Sequence, residues 1–397
     1  MKILMISYRL PYPLTAGYRI RIYNEAKYLK NEGHQIDLVF LGKVEELEKY
    51  KFQLHEVFDH ITCYSICWRE VTFNLITKTL LQHKPLQVSL YWNKKMDTYI
   101  QKIYGQYDLI MGNSVRNAEY LLRISADKTI LDLHDAISYN YLNLIKNLHG
   151  IKKWIYWFER KLLVNYECEV TQRLKNIVII SEADRCYMYK NGADISNVAI
   201  IPVAVRDDIV DKKTNVEEDE CAICFLGKMS YQPNAGAVIW FAERCFPGLK
   251  EEIPNLQFYV IGIEPTKEVQ ALSKRNGITV TGFMDNPYEV VKRCMAMIVP
   301  IRNGAGMQNK ILESMIVGTP CIISSIAEEG LNGKDGETYL VADTEQEYIE
   351  AVKKLAGEPL TRTKIAKNAS EFVKQYTWTS IKNRLNEYIW KVTQVDR

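Results

Sequence analysis

Lys310 and Glu313 are the residues whose types and spacing most readily do chemistry in this chain. They lie in residues 300–320, Pro-Ile-Arg-Asn-Gly-Ala-Gly-Met-Gln-Asn-Lys-Ile-Leu-Glu-Ser-Met-Ile-Val-Gly-Thr-Pro, which read as a strand end, a glycine loop, a helix and a stop. Residues 295–299 predict the incoming strand, Met307, Ile311, Leu312 and Met315 share one helical face, and Gly318 and Pro320 end the helix. Lys310 then falls in or near the first turn, where the positive end of the helix dipole disfavours a cation and unpaired N–H groups point outward. A bound anion removes that conflict. Gly304 and Gly306 let the backbone approach a phosphate, the helix start supplies donors, and Lys310 supplies a point charge. Glu313, three residues on, can accept two hydrogen bonds from a ribose diol. A glycine turn capped by an exposed Lys–Glu pair accounts for the segment, taken alone, equally well.

The elements that position these residues follow from alternating apolar runs and helical patterns. Residues 222–226 predict a strand ending at Gly227-Lys228, residues 257–261 one ending at Gly262, and residues 278–281 one meeting Gly282-Phe283. Lys228, Phe283 and the 304–313 loop therefore share one edge of one sheet, and that convergence outweighs any of the motifs alone. In the first half, residues 2–7 and 36–41 predict strands around a helical pattern that ends at Gly33, a βαβ unit. Gly17 opens a phosphate-sized gap after the first strand with Arg19 and Arg21 beside it; a plain turn is the alternative. Residues 129–133 predict a strand running into His134-Asp135, where α/β enzymes place functional side chains. A hydrogen-bonded loop histidine is the alternative there. Cys221-Ala-Ile-Cys224 enters a strand, and no second Cys or His pair lies at zinc spacing, so it reads as strand and no metal site is expected.

A chain of 397 residues accommodates two domains with full cores, and 47% hydrophobic with 25% charged residues is the balance of a globular protein. No apolar run reaches spanning length and Met1 leads straight into a core-like strand, so the expected location is cytoplasmic; the mixed basic and aromatic stretches 73–104 and 139–166 add an expected peripheral contact at the inner membrane face. Nine cysteines, an odd number, lie mostly among apolar neighbours and suit reduced thiols. The net charge of +3 divides unevenly: residues 1–205 carry 27 Lys and Arg against 21 Asp and Glu, residues 206–397 carry 24 against 27. No nucleic-acid recognition motif accompanies the basic half, and no nucleic-acid partner is expected. Residues 73–104 and 139–166 read as helical and mix bases with aromatics, the second with Lys146, Lys152, Lys153, Trp154, Tyr156, Trp157, Arg160 and Lys161. That mixture suits either the headgroup region of an anionic membrane or an amphipathic helix whose aromatics pack inward. The charged, aperiodic run 206–220 is the best domain boundary.

Together, the glycine loop after the first strand, Phe-Leu-Gly-Lys at 225–228, Gly-x-Gly-x3-Lys-x2-Glu at 304–313 and Tyr376-Thr-Trp378 before the last helix resemble the retaining GT-B glycosyltransferases of family 4. The similarity covers essentially the whole chain. It is nearest to a branch found in exopolysaccharide and capsule pathways, through Arg9-x-Pro11-x-Pro13, Gly17, Arg21 and Gly-x-Met-x-Tyr-x-Pro-Asn at 227–234. The resemblance implies an α/β protein of two doubly wound Rossmann-like domains facing a central cleft. Residues 1–205 would bind the acceptor, 206–376 the nucleotide sugar, and the helix in 377–397 would cross back to the first domain. It implies metal-independent transfer from a nucleotide-diphosphate sugar, UDP-sugar favoured over GDP-sugar, to a saccharide or lipid-linked saccharide. Gly17 and the amides after it, Lys228 and Lys310 would meet the diphosphate, Glu313 the ribose, and Phe283 and Met284 the base. His134 would lie near the donor sugar. Backbone around Gly304, Ala305, Gly306, Met307, Gln308 and Asn309 would stand in for a family glutamate that falls at Ala305. Two further departures are Asn234, where the family has a second phosphate lysine, and Tyr18, where the branch commonly has an aspartate. A non-catalytic partner subunit of the same fold and a nucleotide-sugar 2-epimerase are the alternatives.

Overall fold

The computed structural model describes residues 1–146, 148–205, 209, 219–302 and 307–394. Gly304, Ala305 and Gly306, and most of the 206–220 run, lie outside the described residues. The chain packs as two compact units, Met1–Pro202 with Lys382–Arg397, and Val203–Ile381.

The first unit is built on seven parallel strands in the order β3-β2-β1-β4-β5-β6-β7. They are β1 Lys2–Ser7, β2 Gln35–Leu41, β3 His60–Tyr64, β4 Leu109–Asn113, β5 Thr129–His134, β6 Ile177–Ile179 and β7 Val198–Ile200. Their apolar runs are continuous because helices cover both faces, which leaves Ile3, Leu4, Ile6, Leu38 and Ile110 fully buried. Each such side chain contributes roughly 1.5–3 kcal/mol of gross burial energy. Helix α1, Gly17–Asn31, follows β1 and packs Ile22, Ala26 and Leu29 inward. The winding reverses between β1, which pairs with β2, and β4, which pairs with β1 on its other edge. Crevices for ligands open at such reversals, past the carboxyl ends of the strands.

Two long helical expectations are corrected here. Residues 73–104 divide into Trp68–Asn74, the π-helical Leu75–Leu81, Leu86–Ser89 and Lys94–Ile103. Pro85 has no N–H to continue a helix and instead precedes a new one, and Asn93 starts the next by accepting a hydrogen bond from the Met96 N–H. Residues 139–166 divide into Ile137–Ile145 and the helix α2, Gly150–Arg173. Gly150 takes φ +60°, which breaks the run.

The second unit carries six parallel strands in the order β10-β9-β8-β11-β12-β13. These are β8 Asp219–Leu226, β9 Gln257–Ile261, β10 Ile278–Gly282, β11 Cys294–Val299, β12 Cys321–Ile323 and β13 Leu340–Val341. Winding again reverses at the first strand, β8, which lies between β9 and β11. Helix α3, Gln232–Arg244, carries a proline in its first turn and buries Val238 and Phe241, the latter edge-on to Phe258 at 5.1 Å. Helix α4, Asn309–Ile316, buries Ile311, Leu312 and Met315. The last helix, α5 Trp378–Gln394, starts in the second unit, and its residues from Lys382 belong to the first.

Candidate functional site

In the second unit the carboxyl ends of β8, β9 and β11 bring together a buried lysine, a partly exposed lysine and a helix start. Gln308 precedes α4 without capping it through its side chain, and Asn309 opens the helix. Lys310, in that first turn, is buried. Its Nζ donates to Asn234 Oδ1 at 2.5 Å and lies 4.6 Å from the centre of the Phe225 ring. Asn234 in turn donates from Nδ2 to the Lys228 carbonyl at 3.0 Å. The side chain of Lys310 therefore reaches back across the sheet edge to the end of β8. Burial pushes its amine down to about 7, and the Glu313 carboxylate one turn on opposes the shift. A neutral amide, an aromatic ring and a helix start adjoin the amine, with Glu313 as the carboxylate acting on it, and a phosphate placed here would favour its charged form.

Lys228 itself is partly exposed, with Nζ 2.9 Å from Glu264, whose other neighbour is the Ser230 hydroxyl at 2.7 Å. These hydrogen bonds hold the Glu264 carboxyl below its ordinary range. An incoming anion competes with Glu264 for Lys228. The end of β9 passes so close to β8 that a Cβ on Gly262 would meet the Gly227 carbonyl oxygen at 1.7 Å, so only glycine fits there. Phe283 follows edge strand β10 with 74% of its surface exposed, and Met284 is half-buried. Glu313 and Met307 are also half-buried. A separate recess past β11 and β12 holds Arg302 stacked 4.7 Å over Trp240, with Ser324, Ser325 and Asp343 on its walls.

In the first unit, Gly17 opens α1 on an exposed turn whose preceding residue, Ala16, provides no side-chain cap. Arg21 is not available to an anion there. Its Nε donates to Asp132 at 2.6 Å, its Nη1 donates to the carbonyls of Ile201 and Pro202 at 2.9 and 3.0 Å, and Glu25 lies 3.0 Å away. All three charged groups are buried. Burial pushes the Glu25 carboxyl up to about 7, with Arg21 opposing and Asp132 adding to the rise.

Asp132 also shapes the next feature. Its Oδ1 accepts from the His134 N–H at 3.0 Å, and its carbonyl accepts from the Ser114 N–H at 2.6 Å. Ser114 and His134, at the ends of adjacent strands β4 and β5, take φ +68° and +70°. Neither is glycine, so both conformations are strained, and they line one pocket with Tyr8, Tyr18 and Arg116. The pairing of β5 with β6 slips between Asp132 and His134, a bulge that re-aims the histidine. Burial holds the imidazole below its ordinary range, opposed by Asp135 and reinforced by Arg21, so the ring is neutral at physiological pH. Arg116 lies 4.7 Å over the Tyr8 ring, and Tyr18 sits 5.3 Å from Tyr8 with its hydroxyl accepting from Arg19 Nε.

Lys228, Lys310, Glu313, Gln308 and Asn309 thus gather at one sheet edge, and His134 faces a pocket of the other unit. Sequence reasoning missed Asn234 as the partner of Lys310, the Glu264–Ser230 pair, and Ser114 with Arg116. Strand-end logic reaches Ser114 and Glu264, which lie one and three residues past β4 and β9. No local signal marks Asn234 as a ligand of a lysine 76 residues away.

Residues 220–358 match the family model described as glycosyl transferases group 1. An uncharacterized 44.6 kDa protein in the cps region of Klebsiella pneumoniae is 23% identical over 394 residues, covering 94% of this chain and 96% of that one. Among solved structures, HepE from Anabaena in complex with UDP aligns with TM-score 0.68 at 14% identity, covering 98% of this chain and all of that one. WaaG, a glycosyltransferase involved in lipopolysaccharide biosynthesis, aligns with TM-score 0.64 at 12% identity over 96% of this chain and 98% of its own. These structural likenesses show the GT-B fold, two Rossmann-like parallel sheets.

Proposed function

We propose that the protein, whose residues 220–358 match the model described as glycosyl transferases group 1, transfers a sugar from a nucleotide-diphosphate sugar to a saccharide acceptor in cell-surface polysaccharide biosynthesis. The observation that carries the reading is Lys310: its amine is buried at a helix start, hydrogen-bonded to the neutral Asn234 amide and tethered through it to the end of β8, with the Glu313 carboxylate one turn on acting on it. The cps-region relative supports the polysaccharide context, and the neighbour solved with UDP-glucose supports a UDP-sugar donor.

Lys310 and Lys228 hold the diphosphate, Glu313 the ribose, and Phe283 with Met284 the base. Amides from Gly304 to Asn309 reach the donor sugar in place of the carboxylate missing at Ala305, and those after Gly17 add donors for phosphate. The transfer is retaining and needs no metal. Charge grows on the leaving phosphate as the sugar bond breaks, and Lys310, whose amine gains a proton most readily when an anion adjoins it, neutralises that charge. The leaving phosphate takes the acceptor's proton. His134, neutral and fixed by the bulge, hydrogen-bonds a sugar hydroxyl. The acceptor is lipid-linked, which brings the reaction to the inner membrane face.

Acceptor-dependent release of UDP from a panel of UDP-sugars tests the reading. Wild type releases UDP with donor and acceptor together, and Lys310→Met abolishes the release; full turnover by Lys310→Met rejects it. The residue at position 305 favours one second reading, a non-catalytic partner subunit, which predicts tight nucleotide binding with no release from any donor and acceptor pair.

A further inference from the structure

The aromatics of α2 face outward. Ile151, Trp154, Ile155 and Phe158 recur at helical spacing and form one stripe, yet they are 78%, 70%, 51% and 49% exposed. The helix cannot turn to bury them, because the face that carries Glu159, Leu163 and Val170 is already packed. Glu159 fixes it further: its two carboxylate oxygens accept from the N–H groups of Leu86 and Gln87, which open the helix Leu86–Ser89. That helix follows directly on the segment Trp68–Leu81, where Phe73, Ile76 and Leu80 are again at least half exposed. Two neighbouring segments of the first unit therefore present large apolar side chains to solvent, well beyond the scattered single residues expected of a monomer surface.

The charge on these segments selects the occupant. Lys146, Lys152, Lys153 and Lys161 are exposed around the stripe, and no acidic residue of 68–84 or 148–161 is exposed. Trp154 and Trp157 contact each other edge to face at 6.0 Å, and such rings combine an apolar body with an N–H suited to a headgroup boundary. A second copy docking here would bring lysines against lysines, which disfavours self-association. No helix among the described residues is long and apolar enough to cross a membrane.

We propose that the exposed stripe of α2, with the adjoining segment Trp68–Leu81, docks the protein on an anionic lipid bilayer, the aromatics entering the headgroup boundary and the lysines meeting lipid phosphates. The inference depends on no step of the transfer reaction and is read without donor or acceptor.

Co-sedimentation of the full chain with phosphatidylcholine vesicles, with and without phosphatidylglycerol, tests it. The chain partitions onto the anionic vesicles, and added salt weakens the binding. Trp154→Ser combined with Phe158→Ser lowers partitioning by about tenfold or more, since two buried aromatic contacts are lost. Lys152→Glu combined with Lys153→Glu lowers it on anionic vesicles only. These side chains are exposed, so both variants keep the wild-type melting temperature. Equal binding to neutral and anionic vesicles, no binding by wild type, or undiminished binding by Trp154→Ser/Phe158→Ser overturns the proposal. So does a wild-type dimer, seen by sedimentation equilibrium, that Trp154→Ser dissolves without any vesicle binding.

Discussion

Each unit buries a cation near the carboxyl ends of its strands, and the two cations are in opposite states. Arg21 touches two carboxylates, Asp132 and Glu25, and two backbone carbonyls. Lys310 touches a neutral amide and an aromatic ring. The first is internally neutralised and serves structure, fixing Asp132 and through it the strained turn at His134. The second is hydrogen-bonded to a neutral amide, has one carboxylate, Glu313, acting on it, and has its amine pushed down by burial. A basic residue after a strand end is thus no sign of an anion site by itself; what matters is how far the fold has already neutralised it.

Substitutions sharpen this contrast. The largest effect falls on stability: Arg21→Met leaves Asp132 and Glu25 buried without their cation and costs about 3–5 kcal/mol, read as an early urea transition. Lys310→Met removes an amine that burial already pushes down, so it alters stability by no more than about 1 kcal/mol. It weakens UDP-sugar binding by roughly 10- to 100-fold, measured by calorimetry, as loss of a charge-assisted hydrogen bond predicts. If Lys310→Met unfolds the protein as readily as Arg21→Met, the contrast between the two cations is wrong.

The pH dependence follows from the same residue. In the free protein the Lys310 amine sits at about 7 against an ordinary 10.5. Because the folded value is the lower one, the unfolded chain binds the proton more tightly between these limits, and stability rises with pH across that window. A bound diphosphate holds the proton on the amine. Affinity for a UDP-sugar, whose diphosphate does not titrate there, is therefore greatest below pH 7 and falls by up to about tenfold per unit above it. Lys310→Met flattens that profile, and a sloping profile in the variant assigns the proton elsewhere. The smallest change comes from Gly227→Ala, whose added Cβ would meet Asn234 Nδ2 at 2.6 Å. Displacing Asn234 loosens Lys310 and weakens donor binding by about three- to tenfold at nearly unchanged melting temperature.

Much of the fold was legible along the chain. Strands of parallel sheets are buried on both faces, so β1, β9 and β11 stand out as apolar runs, and the residues just past them fall at the functional edge. The two long helices were misread because the apolar pattern continues across Pro85 and Gly150, where the backbone turns. The exposure of Trp154 was illegible for a different reason: an outward stripe and an inward stripe have the same period, and only the packing of Glu159, Leu163 and Val170 says which face is taken.

By itself the sequence determined the strands around the site, their order along the chain, the sheet edge on which Lys228 and Lys310 meet, and the one-turn spacing of Lys310 and Glu313. These depend on periodicity and on residues close in the chain. Tertiary structure decided which charges are spent: Arg21 finds Asp132 at a separation of 111 residues and Lys310 finds Asn234 at 76. Such pairings leave no periodic trace, because they depend on which strand ends the sheet order brings together. The availability of a cation is set by its neighbours in space, and the fold alone supplies them.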